Sequence, residues 1–177
     1  MRGSLRKSVS WPALTIAILA LLVLPAQAQQ PQHPCLPFSG TIYFWLTDTW
    51  HGAADLTIGR NLVHADVLAI NTGFFDAGST WQGSEKWTLD LGNGNKIRLK
   101  TDFIAEHVTD AASTSGVFHL SEVGRFTRGA GLYQNAFGSI TVSGPFGPNV
   151  KLPSNIQPAP EAQAFAVTQA LGSICIP

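Results

Sequence analysis

The alternation of apolar and polar residues runs at period two along most of the chain and predicts strands rather than helices. Thr41 to Thr47 sets Ile42, Phe44 and Leu46 against Thr41, Tyr43 and Trp45. Ala54 to Ile58 and Leu62 to Ile70 follow, divided by Gly59-Arg60-Asn61. A tight hairpin is expected where Trp87 to Leu91 meets Lys96 to Thr101 through Gly92-Asn93-Gly94-Asn95, because Asn and Gly reach positive φ cheaply. Its second arm places Ile97, Leu99, Thr101 and Phe103 on a dry face and Lys96, Arg98, Lys100 and Asp102 on a wet one, with room to continue to Thr109. Gly116 to Leu120 and Gly138 to Ser143 supply two more strands, whereas Asp76 to Gly83 and Pro153 to Pro160 read as loops. For Ala162 to Ile174, Ala and Gln favour a helix while Phe165, Val167 and Ile174 fit a strand. The strand is preferred because it returns Cys175 to Cys35 and closes the sheet.

The N-terminus changes how this pattern is bounded. Arg2, Arg6 and Lys7 precede an apolar run from Ala13 to Leu24 and the small-residue signature Ala26-Gln27-Ala28, which together read as a cleavable secretory signal over 1–28. The run is too short for a spanning helix, and no transmembrane segment is expected. A flexible Gln- and Pro-rich leader is expected over 29–38, with Pro34 and Pro37 opposing regular pairing, and one β-domain over 39–177. A secreted or periplasmic location follows. In that oxidising setting the two cysteines of the chain, Cys35 and Cys175, read as a disulfide joining the ends of the domain.

Charge removes some partners. Three of the eleven basic residues leave with the signal, so the remaining chain carries eight against eleven acids, a balance that argues against nucleic acid or an anionic membrane. No Gly-x-Ser-x-Gly elbow, P-loop, His-Glu-x-x-His or Cys-x-x-Cys occurs, so the familiar hydrolase, nucleotide and zinc-protease machinery has no support.

One stretch is more specific: Gly129-Ala130-Gly131-Leu132-Tyr133-Gln134-Asn135-Ala136-Phe137-Gly138-Ser139-Ile140-Thr141-Val142-Ser143-Gly144. It resembles the Gly-x-Gly, aromatic, Asn-Ala-x-Gly and strand pattern of the allene oxide cyclase-like and dirigent-like barrels, which include secreted bacterial members. Ala130 and Leu132 depart from that pattern, where a Thr and a basic residue are usual. The resemblance implies an antiparallel barrel of about eight strands with a mostly apolar cavity, often in a homo-oligomer. It carries over no catalytic residue, since no motif aligns those positions.

Candidate chemistry comes from the residues themselves. His64 and Asp66 share a strand face and could form an acid–base couple, although Val63, Ala65, Val67 and Ala69 suit the core better. His107 falls in register with Phe103 and Ala105 and could enter the barrel, which leaves Glu106 outside; either could supply a single acid. No His-x-His pair occurs, and no metal or other cofactor is expected. Tyr43, Trp45, Trp87 and Tyr133 are the aromatic candidates for a ligand wall, while Trp50 and Trp81 fall in segments read as loops.

Three functions are therefore carried forward: binding of a small apolar or aromatic ligand in the cavity, an isomerase or cyclase of the allene oxide cyclase or dirigent type, and a surface or oligomeric interaction protein. An inward ionisable residue favours the enzyme, a dry pocket favours binding, and a filled barrel favours interaction.

Overall fold

The computed structural model describes residues 34–108 and 116–177. The expected signal segment, the first residues of the leader and Thr109 lie outside the described residues. Within them the chain forms eight antiparallel strands: β1 (Cys35–Leu46), β2 (Trp50–Ile58), β3 (Asn61–Asp76), β4 (Thr80–Asp90), β5 (Lys96–His107), β6 (Phe118–Ala130), β7 (Phe137–Gly147) and β8 (Ala164–Cys175). Each strand pairs with the next, and β8 pairs back onto β1 to close the barrel. The Cys35–Cys175 disulfide joins the two strand ends that seal it.

The β4–β5 hairpin forms where the Gly/Asn cluster stands. Gly92, Asn93 and Gly94 all adopt positive φ, and the Leu91 N–H donates to the Asn95 carbonyl at 2.9 Å. The Gly129–Gly144 stretch makes the β6–β7 connection at the same end of the barrel. Gly131 takes φ +61°, and the Asn95 side chain accepts the Leu132 N–H at 2.9 Å, so the two turns are tied together.

Three expectations change. β1 begins at Cys35 rather than after the leader, and Pro37 lies within it. Pairing with β2 ends at Phe38, so beyond that residue one side of β1 is an edge, where a proline breaks no ladder. Asp76 to Gly83 is mostly strand: the turn itself is short, held by Asp76 Oδ1 accepting the Gly78 N–H at 2.7 Å, and neighbouring strands impose pairing on a weakly β-forming Ser/Thr/Gly run. Trp81 consequently lies in strand β4, and Trp50, also read as loop, opens strand β2. The final ambiguous segment is strand β8, and β6 continues to Ala130, well past the predicted Leu120.

The interior divides into two halves. Toward the disulfide end it is filled by Phe38, Ile58, Leu89, Ile97, Phe126, Ile140 and Ile174, all buried, with Phe38 and Phe126 rings 5.4 Å apart. Toward the opposite end the inward positions of β5 and β8 carry Ala105 and Ala166, and that of β4 carries Gly83, bare beneath the Phe103 ring. Small residues there leave space that large ones fill below.

Candidate functional site

The space is a cavity of about 280 Å³, at the lower end of the usual range for small-molecule sites. Aromatic side chains make most of its wall: Phe44, Trp50, Trp81, Phe103 and Phe146. Trp50 and Trp81 each pack against Phe146, with centroids at 5.3 and 5.7 Å. The cavity reaches solvent beside Asn71 and Phe74, the latter 56 % exposed. A bulge between Asn71 and Gly73 shifts the register of β3 by one residue and turns Phe74 inward, where its ring meets Trp81 at 5.9 Å.

Two carboxyl groups also line this apolar wall: Glu85 on β4, 5 % exposed, and Glu122 on β6, 4 % exposed. Glu85 Oε2 accepts a hydrogen bond from Trp87 Nε1 at 2.7 Å. Desolvation nevertheless dominates and pushes its pKa up to about 7, the indole bond opposing the rise. Glu122 is raised well above the usual carboxyl range, first by burial and then by the nearby Glu85 charge. The Thr101 side chain opposes that rise in part. Glu122 Oε2 and Thr101 Oγ1 are both buried without a partner. Among the described residues no other ionisable side chain lines the cavity.

No protein-family model, curated protein or solved structure matches the chain. The site must therefore be judged from its own geometry.

The residues singled out from the sequence fall in different places. Trp87 is buried directly below the cavity as the donor to Glu85. Tyr43 and Trp45 alternate with buried Ile42 and Phe44 and therefore face outward, away from the cavity. Tyr133 sits in the short 3-10 turn Gly131–Tyr133 at the disulfide end, half-buried, with burial raising its pKa. His64 and Asp66 lie on the outer surface, where His64 Nδ1 and Asp55 Oδ1 are 2.6 Å apart in an exposed hydrogen-bonded contact. His107 reaches only the rim, edge-on to Phe118 at 5.2 Å, and Glu106 is exposed outside. Among the described residues no group of three or more His, Cys, Asp or Glu could hold a metal ion.

Sequence reasoning missed Glu85, Glu122, Trp50 and Trp81. The signal was parity. Glu85 shares its side of β4 with Trp81, Trp87 and Leu89, and Glu122 shares its side of β6 with Phe118, Leu120 and Phe126. An acid in the dry register of a strand is the mark that was available.

Proposed function

We propose that the hollow half of the barrel is a pocket for a small apolar or aromatic molecule, and that Glu85 and Glu122 move a proton on it, the chemistry of an isomerase or cyclase. The observation that carries this is the placement of two carboxyl groups in an aromatic cavity with no basic side chain among the described residues that line it. Leaving ionisable groups there lowers stability, and such groups concentrate at sites where their altered proton affinity is used. Glu122, held neutral, is suited to donate a proton. Glu85, near half-ionised at neutral pH, is suited to accept one. Moving a proton from one atom of the ligand to another needs no oxidant and no cofactor.

Of the three functions, the inward acids favour the catalytic one over plain binding, and the hollow interior disfavours a purely structural barrel. The resemblance to the allene oxide cyclase-like and dirigent-like barrels points the same way, and an eight-stranded closed antiparallel barrel is compatible with it. A disulfide linking the chain ends, with no helix among the described residues long and apolar enough to cross a membrane, supports an exported protein in the periplasm or outside the cell.

The test starts from native mass spectrometry of protein purified from its own host, to capture and identify a retained small molecule. That molecule is then incubated with the protein in deuterated water. Deuterium entering a carbon-bound position, and failing to enter with Glu85→Gln, supports proton transfer. Retention without exchange reduces the function to binding.

A further inference from the structure

Two carboxyl groups in the cavity wall constrain what can fill it. Glu122 Oε2 and the Thr101 hydroxyl oxygen, on residues 4 % and 2 % exposed, have no hydrogen-bond partner, and both can accept. Glu85 stands on the adjoining strand, its residue directly opposite Thr101 in the β4–β5 register. Phe103, the next inward residue of β5, pairs with Glu122 across to β6. The pocket therefore gathers two carboxyls from strands that flank β5, with no lysine, arginine or histidine among the described lining residues.

The wall above favours the same sign of charge. Ring faces of Trp, Tyr and Phe attract cations through their quadrupoles, more strongly once water is excluded. Phe44, Trp50, Trp81 and Phe146 surround the space, and the Phe44 and Trp50 rings meet nearly edge-on at 6.1 Å. Aromatic walls alone would accept any apolar body. Walls combined with an acidic base and no internal counter-charge select one that carries a positive donor.

We propose that the ligand of this cavity is an organic amine, with its ammonium group seated against the carboxyls of Glu122 and Glu85 and its apolar body held by the aromatic wall. This rests on the cavity being a small-molecule pocket, as argued above, and adds the class of molecule. An ammonium donates to the lining carboxyls in charge-assisted bonds about twice as strong as neutral ones. It also allows a carboxyl that burial keeps neutral to ionise, so binding expels a proton to solvent. A neutral ligand of the same shape does neither.

The experiment compares phenethylammonium with 2-phenylethanol, two molecules of equal size that differ in the charged donor, by titration calorimetry at pH 7 on the disulfide-intact protein. The amine is expected to bind about ten-fold tighter or more, from one charge-assisted hydrogen bond gained. Its binding heat should depend on the ionisation heat of the buffer, reporting proton release. Glu122→Gln, nearly isosteric, should reduce both the preference and the release, and adding Glu85→Gln should abolish them, while 2-phenylethanol still binds. Equal or tighter binding of the alcohol to the native protein, or amine binding without proton release, overturns the proposal and leaves the pocket itself standing. Failure of both compounds to bind overturns the pocket as well. Should Glu122→Gln not fold, the comparison and the proton count on the native protein decide alone.

Discussion

Trp87 and Glu85 lie two residues apart on the same face of β4, and the indole N–H of the first donates to the carboxyl of the second at 2.7 Å inside the barrel. The bond joins the filled half of the interior to the hollow half. Trp87 also packs against Phe44 at 4.9 Å, so one residue serves as core, as floor beneath the cavity and as the donor that holds Glu85 in place.

Trp87→Phe should therefore do more than remove bulk. It leaves Glu85 buried without its donor, at a cost of about 1 to 3 kcal/mol beyond the packing change. The bond lowers the Glu85 pKa, so its loss should carry the titration above about 7. Denaturant melts at pH 8 and a carboxyl titration followed by infrared or carbon-13 NMR check the two effects separately.

Stability should fall as pH rises through neutrality. Both carboxyls bind their protons more tightly folded than unfolded, so above the unfolded value near 4.5 the unfolded chain has released protons that the native state still holds. The slope is then negative, about 1.4 kcal/mol per pH unit for each group in its window. For Glu85 the loss spans pH 4.5 to about 7, and for Glu122 it continues to higher pH. Among the described residues no other ionisable side chain lines the cavity that faces them. Urea midpoints measured from pH 5 to 9 should decline, and the double variant Glu85→Gln, Glu122→Gln should flatten most of that decline and exceed the native protein in stability at pH 8.

Gly83 is the position that keeps the cavity open behind Phe103. A Cβ there would stand 2.7 Å from two atoms of the Phe103 ring and closer still to the Gly73 carbonyl. Gly83→Ala should displace the ring into the cavity and cost about 1 to 3 kcal/mol, the usual range for overpacking. A thermal melt registers the loss, and calorimetry should show weakened binding of any cavity ligand.

Reducing the disulfide should lower stability substantially, because Cys35 and Cys175 are 140 residues apart in sequence. Closing a loop of that size restricts the unfolded chain by about 4 to 5 kcal/mol in the entropy model. The measurement is the guanidinium midpoint with and without a phosphine reductant. An unchanged midpoint would mean that β1–β8 pairing alone holds the seam.

Much of the barrel was legible because its causes are local. The Gly92–Asn95 cluster could make little but a tight turn, and strict alternation from Lys96 onward could make little but a half-wet strand. The cavity was not legible in the same way. Trp81 stands in a Ser/Thr/Gly/Gln run whose strand character comes from its neighbours, and the bulge after Asn71 that turns Phe74 inward has no marker in composition. Aromatic type pointed to Tyr43 and Trp45, but register sets direction, and theirs is outward. Which strand pairs with which, and at what offset, is a property of the closed sheet, so the convergence of Glu85 with Glu122 became visible only after closure.

Net charge was the least informative guide to the surface, and it yields the last prediction. Although acids outnumber bases once 1–28 are set aside, five cations lie in two neighbouring rows on the outer face of β4 to β6. Lys86 stands opposite Lys100, Lys100 opposite Arg125, and Arg98 opposite Arg128. The described Lys96–Asp90 ion pair and the His64–Asp55 hydrogen bond leave this block untouched. Like charges directly opposite across strands are destabilising, and the repulsion between exposed groups is screened by salt. Raising sodium chloride from low to physiological ionic strength should therefore raise the melting temperature. Lys100→Glu, which places one acid between Lys86 and Arg125, should stabilise by roughly 0.5 to 1 kcal/mol at low salt, since opposite-charge cross-strand pairs contribute on that scale. Its advantage should shrink as salt is added, because the same screening that relieves the native block weakens the new attraction. A stabilisation independent of salt would assign the gain to packing or strand propensity instead of charge.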